Sequence, residues 1–151
     1  MPPVSPEELL DAADQLLISP GPGLGSLWPR ACALLIRLAL ELTLDDYWAR
    51  VLPEAADCGM RQQLLLLPLD PTSDPAPMDA APGPEAAPGP EAASASDAVS
   101  LAREAWLGLA GAAHHHAYEL APNASELRGW HTAVSQLTAL LARPRASSSP
   151  G

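Results

Sequence analysis

The stretch that decides the fold runs from Ser26 to Leu52 and reads SLWPRACALLIRLALELTLDDYWARVL. Pro29 falls in the first turn of the predicted helix, where a missing backbone N–H costs nothing. Through the first half nearly every residue is apolar except one set of charged side chains: Arg30, Arg37, Glu41 and Asp45. At about 100° per residue these four, the polar strip, fall within an arc of about 80°. This pattern predicts the central helix of a bundle, buried on most sides.

The first predicted helix reads SPEELLDAADQLLI, residues 5–18. Ser5 is a good N-cap, Pro6 suits the first helical position, and Glu8 completes a capping box. Leucines and alanines then recur at helical spacing. Turn residues at 19–25, SPGPGLG, end this helix.

Further helices are predicted over about 55–67, 97–120 and 124–142. The first ends at Pro68, and the second follows a good N-cap at Ser96–Asp97. Asn123 with Glu126 offers a second capping box for the last one. No strand pattern stands out, so we expect an all-α bundle of four to five helices.

A Pro/Ala/Gly-rich acidic segment, residues 69–96, separates the two halves of the bundle, 5–68 and 97–142. It contains a tandem APGPEA repeat, and its large apolar residues, Leu69 and Met78, are too few to build a core. Such composition predicts a disordered linker inserted between helices. The tail over 143–151, RPRASSSPG, is also predicted to be disordered.

The charge distribution argues against nucleic-acid binding. The net charge is −10, and half of it falls in 69–96, which has five acids and no base. Binding to DNA or RNA needs clustered Lys and Arg, so we expect no DNA partner. The chain has no Lys or Phe and is rich in Leu, Ala and Pro, which indicates a GC-rich, bacterial source.

Targeting and cofactor signals are lacking in the sequence. The N-terminus carries acids where a signal peptide needs bases, and the longest apolar run contains charges costly in a bilayer. Cys32 and Cys58 form neither a metal spacing nor a disulfide framework. We therefore expect a cytoplasmic protein with no membrane partner, no cofactor and no metal.

A histidine triplet, His114 to His116, interrupts the alanine-rich helix predicted over 97–120. Because consecutive helical residues point about 100° apart, the three imidazoles cannot share one face. His116 projects onto the core stripe and His115 onto a polar stripe with Glu119. His115 and Glu119 alone are too few ligands for a metal site. Packing or surface roles are therefore favoured for the triplet. His131 is expected to be a hydrogen-bonded core histidine.

Arg37 and Glu41 form the sharper signal. On a helix this apolar, two charges one turn apart must pair with each other or face water or a ligand. Arg before Glu is the weaker orientation at this spacing, and Asp45 adds a like charge beside Glu41. Both a partly buried salt bridge and a ligand-facing polar cluster are open.

Two segments carry a family resemblance. RACALLIRLALELTLDDYW (30–48) is similar to the first long helix of HEPN (higher eukaryotes and prokaryotes nucleotide-binding) domains, and LAREAWLGLAGAAHHHAYEL (101–120) resembles their histidine-bearing helix. The resemblance implies a small all-α bundle, dimerisation, and a polar cluster of Arg37, Glu41 and His115. HEPN ribonucleases carry Arg, four to six residues, then His. No arginine of this chain stands at that spacing before His114 or His131.

Two functional hypotheses follow from the resemblance. The first is a non-catalytic HEPN-like module that acts by association with a protein partner or with itself, in a toxin–antitoxin or defence-type system. The second is a divergent HEPN-type ribonuclease using Arg37, Glu41 and a histidine of the triplet, with RNA as substrate. The missing spacing and the acidic composition favour the first, and the chain is not expected to be an enzyme.

Overall fold

The structure, a computed structural model, describes residues 3–67, 95–113 and 120–142. Within these ranges the chain is helical and contains no strand, which confirms the all-α bundle. The helices, with a short 3₁₀ turn Gly25–Leu27 before the second, are α1 (Pro6–Ile18), α2 (Trp28–Val51), α3 (Pro53–Ala56), α4 (Met60–Leu66), α5 (Ala95–Ala113) and α6 (Ala124–Leu141).

Both predicted capping boxes are present. Ser5 Oγ accepts a hydrogen bond from the Glu8 backbone N–H at 3.2 Å, and Glu8 Oε2 accepts one from Ser5 N–H at 2.9 Å. Asn123 and Glu126 repeat the exchange at the start of α6, both at 2.9 Å. Each box satisfies two backbone donors that a helix start leaves open, so sequence alone locates these two starts.

Helix α2 is the centre of the bundle, as its composition predicts. It contacts α1, α3, α4, α5 and α6. One side of it, which includes Ile36, Leu40 and Leu44, is fully buried. The core is completed by Leu9, Leu10, Ala13, Leu17, Ala102, Ala105, Leu109, Leu127, Val134 and Leu137 from α1, α5 and α6.

The predicted third helix is divided into two. Instead of one helix over 55–67, the chain forms α3 and α4, separated by Asp57, Cys58 and Gly59. Gly59 is the N-cap of α4, in extended backbone, and glycine interrupts helices readily because it has no side chain to restrict it. Helix α5 likewise begins at Ala95, so the predicted caps Ser96 and Asp97 lie inside its first turn.

Helices α5 and α6 approach closely at one glycine. A Cβ at Gly108 would lie 2.4 Å from the indole of Trp130, so only a hydrogen fits there. The sequence suggests close approach of another helix here, because Ala105, Gly108, Gly111 and Ala112 are all small, and Gly108 is where the approach occurs. Gly111 has nothing within 4 Å of its Cβ position and takes no part.

Several sequence predictions concern residues outside the described ranges. They are the linker up to residue 94, the tail from 143 onwards, and the whole histidine triplet at 114–116. In the portion that is described, no helix combines the length and apolarity needed to cross a bilayer.

Candidate functional site: the uncovered side of the central helix

The side of α2 opposite the core carries exposed leucines. Leu27, Leu34 and Leu38 are 61%, 57% and 44% exposed. Leu34 and Leu38 lie on α2 itself, and Leu27 is the N-cap residue that ends the 3₁₀ turn before it. At α-helical spacing the three residues fall within about 40° of one another. Leu42, half-buried, extends this row by one more turn. We call Leu27, Leu34 and Leu38 the leucine face.

The leucine face corrects one expectation from the sequence. The apolar run predicts that only the polar strip reaches the surface of α2. The structure exposes a row of leucines directly beside that strip, because α1, α5 and α6 cover one side of the helix and leave the other open. A contiguous apolar surface is costly in water and often marks a contact site.

Arg37 lies at the border between the leucine face and α5. Its Nε donates a hydrogen bond to Glu41 Oε1 at 2.8 Å, and both side chains are about a third exposed. Its guanidinium carbon lies 4.9 Å from the centre of the Trp106 ring on α5, a cation–π contact. Of the two readings that the sequence leaves open, the partly buried salt bridge is the one observed.

Asp45, the last member of the polar strip, is engaged by α4. Its Oδ1 accepts a hydrogen bond of 2.7 Å from Gln63 Nε2. The Gln63 amide is buried and also lies within donor distance of the carbonyls of Ala56 and Cys58. Asp45 therefore anchors the α3–α4 segment. Sequence reasoning missed Gln63, although its place in the apolar rhythm of MRQQLLLL was a usable signal.

His131 joins α6 to α1. Its Nε2 lies 3.0 Å from the carbonyl oxygen of Leu10, and because a carbonyl only accepts, Nε2 must carry a proton. The hydrogen bond confirms the prediction, although the side chain is half-buried rather than in the core. A cavity of about 270 Å³ beside it is lined by Glu7, Asp11 and Ser135, and is smaller than ordinary ligand pockets.

The buried cysteine is not a nucleophile at neutral pH. Burial, with the nearby charge of Asp14, raises the pKa of the Cys32 thiol to about 11. Its Sγ donates to the carbonyl of Ala13 at 3.6 Å, so it packs α2 against α1. Since the thiolate is the reactive form, this position favours structure over chemistry.

The structure describes two of the three residues expected to form a polar cluster, which are Arg37, Glu41 and His115. Arg37 and Glu41 meet, whereas His115 lies outside the described residues. Within the described ranges no group of three His, Cys, Asp or Glu side chains is arranged to hold a metal ion. What the described residues offer is a surface of leucines bordered by one ion pair.

Comparison with protein-family models, curated proteins and solved structures gave no match to this chain.

Proposed function

We propose that this chain is a non-catalytic, HEPN-like helical module that acts in the cytoplasm by associating with another protein surface through the leucine face. The single observation that carries the proposal is the leucine face itself. Leu34 and Leu38 lie uncovered on the helix that otherwise forms the centre of the core, and Leu27 lies uncovered at its N-cap. Covering them would remove apolar surface from water, which is the main driving force of protein association.

The state of Arg37 also supports association over ribonuclease activity. Its guanidinium is engaged by Glu41 on one side and by the Trp106 ring on the other. A ribonuclease arginine has to reach a phosphate, and this one would have to leave both contacts to do so. Arginine and aromatic residues are both enriched at protein interfaces, whose rims are polar.

The test compares two leucines of equal exposure. Leu34 is 57% exposed on α2, and Leu65 is 58% exposed on a different helix, α4. A photoreactive phenylalanine analogue is placed at either position in living cells and irradiated. We expect a discrete protein adduct from position 34 that disappears when Leu38→Glu is added, and only diffuse background from position 65.

Two outcomes would contradict the proposal. Equal adduct patterns from positions 34 and 65 would mean that the leucine face has no dedicated partner. Cleavage of RNA by the purified protein, lost on Arg37→Ala, would instead favour the divergent ribonuclease. A Leu65→Glu variant serves as the folding and solubility control in both experiments.

A further inference from the structure

We propose that the cavity between α1 and α6 binds a primary ammonium group carried on a short alkyl chain. The cavity has a volume of about 270 Å³, and none of the residues that line it belongs to the leucine face. It is too small for a drug-sized ligand but has room for a single chain of methylene groups. The cavity is therefore a second site, separate from the surface proposed for association.

Two pairs of polar side chains line this cavity. Glu7 and Asp11 stand one turn apart on α1, and His131 and Ser135 stand one turn apart on α6. Residues at this spacing are neighbours on the same face of a helix. The rest of the lining is mostly apolar and consists of Leu10, Thr138, Ala139 and Ala142. The cavity thus combines polar groups with apolar surface, which is what an alkylammonium ion requires.

The polar groups of the cavity mainly accept hydrogen bonds. The carboxylates of Glu7 and Asp11 can only accept. His131 donates its Nε2–H to the carbonyl of Leu10, so the neutral imidazole has only the acceptor Nδ1 left to offer. The Ser135 hydroxyl can accept as well as donate. Because acceptors dominate this lining, it favours a ligand that brings hydrogen-bond donors.

Thr138, the fifth polar residue of the lining, does not change this balance. Its hydroxyl donates to the carbonyl of Val134 at 2.9 Å and lies 2.9 Å from Thr43 Oγ1. Its single hydroxyl proton is therefore already used within the bundle. An ammonium group supplies three N–H donors from one compact charged atom, which suits several acceptors that converge from two helices.

The negative charge of the cavity is not neutralised by the described part of the chain. Among the described residues, the carboxylates of Glu7 and Asp11 form no ion pair or hydrogen bond. Arg50 shares a neighbouring cavity with Glu7, but its guanidinium donates to the carbonyl of Leu141 at 2.8 Å. Arg128 lies on α6 outside the lining. Since the sequence contains no lysine, a side-chain ammonium for this cavity has to come from another molecule.

The test titrates the full chain with n-butylamine at neutral pH and low salt, and follows the backbone amide signals by NMR. We expect the signals of Asp11 and Ser135 to shift together and to saturate. Two related compounds separate the contributions. 1-Butanol has the same alkyl chain without the charge, and trimethylbutylammonium has the charge without N–H donors. Neither should cause a comparable shift, because the cavity requires both features.

Substitutions identify the residues that hold the amine. Glu7→Gln and Asp11→Asn should each weaken butylamine binding by about two- to fivefold, the range for an exposed ion pair. His131→Gln keeps a donor for the carbonyl of Leu10 but lacks the acceptor Nδ1, so it should weaken binding while α1 and α6 stay joined. Glu104→Gln removes an exposed carboxylate from α5 and is the matched control, which should bind like the wild type. Circular dichroism checks that each variant keeps its helices.

A second titration, with Nα-acetyl-lysine N-methylamide, distinguishes the two sources of an alkylammonium. Binding as tight as that of butylamine assigns the cavity to a lysine side chain of a protein partner, and weaker binding assigns it to a free amine. Either result supports an ammonium site.

Four results would overturn the ammonium site. They are the absence of a saturable shift with butylamine, equal binding of trimethylbutylammonium, tighter binding of butylguanidine, and a loss on Glu104→Gln as large as that on Asp11→Asn. Leu38→Glu, which disrupts the leucine face, should leave butylamine binding unchanged. The amine site and the proposed association can therefore fail separately.

Discussion

The two sides of α2 are built from similar apolar residues, but one side is buried and the other is exposed. Ile36, Leu40 and Leu44 on one side are wholly buried, whereas Leu34 and Leu38 on the other are about half exposed. The helix, the residue type and the local backbone are shared between them. The difference arises from what lies opposite: α1, α5 and α6 pack on one side, and no described helix covers Leu34 and Leu38.

This contrast shows that burial is favourable for every apolar side chain, but that the arrangement of the neighbouring helices decides which of them are buried. A helix that is apolar except for one narrow polar strip needs neighbours on nearly every side. The described part of the chain supplies enough helices for little more than half of that circumference. The proposed association would bury the leucines that the described helices leave exposed.

The test with the largest expected effect replaces one leucine on each side of α2 by alanine. Leu40→Ala should lower the free energy of unfolding by about 3 kcal/mol or more, since it removes buried atoms and leaves a cavity. Leu34→Ala should change it by no more than about 0.5 kcal/mol in the dissociated chain. Urea denaturation at low protein concentration measures both. Equal losses would mean that the exposed side is covered within one chain.

The next test concerns how closely the covering helices pack. Gly108→Ala places a methyl group 2.4 Å from the Trp130 indole, so α5 and α6 must separate or the ring must move. We expect a loss of about 2 kcal/mol, in the range for overpacked cores.

The matched control is Gly111→Ala on the same helix, which meets nothing within 4 Å. It should be neutral or slightly stabilising, because alanine favours helix over glycine. If both substitutions behaved alike in thermal melts, the close approach at Gly108 would not contribute to the covered side.

The sequence predicts the parts of this fold that depend on local chemistry. Ser5–Glu8 and Asn123–Glu126 locate two helix starts because a capping box is formed within four residues. The sequence prediction missed the break at Asp57–Gly59, although Gly59 is a local signal for it. What the sequence does not show is the Gln63 amide, which reaches the carbonyls of Ala56 and Cys58 at the break and Asp45 on another helix.

The candidate site was predictable only in part, for a related reason. Arg37 and Glu41 could be found because charges are conspicuous on an apolar helix. The leucine face could not be found, because α2 is apolar everywhere outside the polar strip and periodicity does not indicate which of its leucines the other helices reach. The role of Trp106 likewise required knowing that α5 lies beside Arg37.

Cys32 provides a pH test of the covered side of α2. Its pKa in the folded chain, about 11, exceeds the ordinary thiol value, so folding disfavours the thiolate. Stability should therefore be unaffected below about pH 8.5 and should fall as the pH rises towards 11.

The loss should reach on the order of 2 kcal/mol near pH 11, as two pKa units imply. Chemical denaturation from pH 7 to 11 measures it, and Cys32→Ala, which cannot ionise, should lose less across the same interval. A parallel decline in both chains would show that Cys32 ionises freely in the folded state.

The smallest expected effect lies at the border between the two sides, at Arg37. Double-mutant cycles should give a coupling of about 0.5–1 kcal/mol between Arg37 and Trp106, since a cation over an indole at 4.9 Å is attractive even when partly solvated. The coupling between Arg37 and Glu41 should be about 0.3 kcal/mol in the dissociated chain, because the pair is about a third exposed and in the weaker order along the helix.

Arg37→Gln, Trp106→Leu and Glu41→Gln supply the variants. In 1 M salt the second coupling should vanish and the first should persist, because screening acts mainly on exposed charges. If the Arg37–Glu41 coupling exceeded that with Trp106, the salt bridge rather than the cation–π contact would be the main interaction that holds Arg37 at this border.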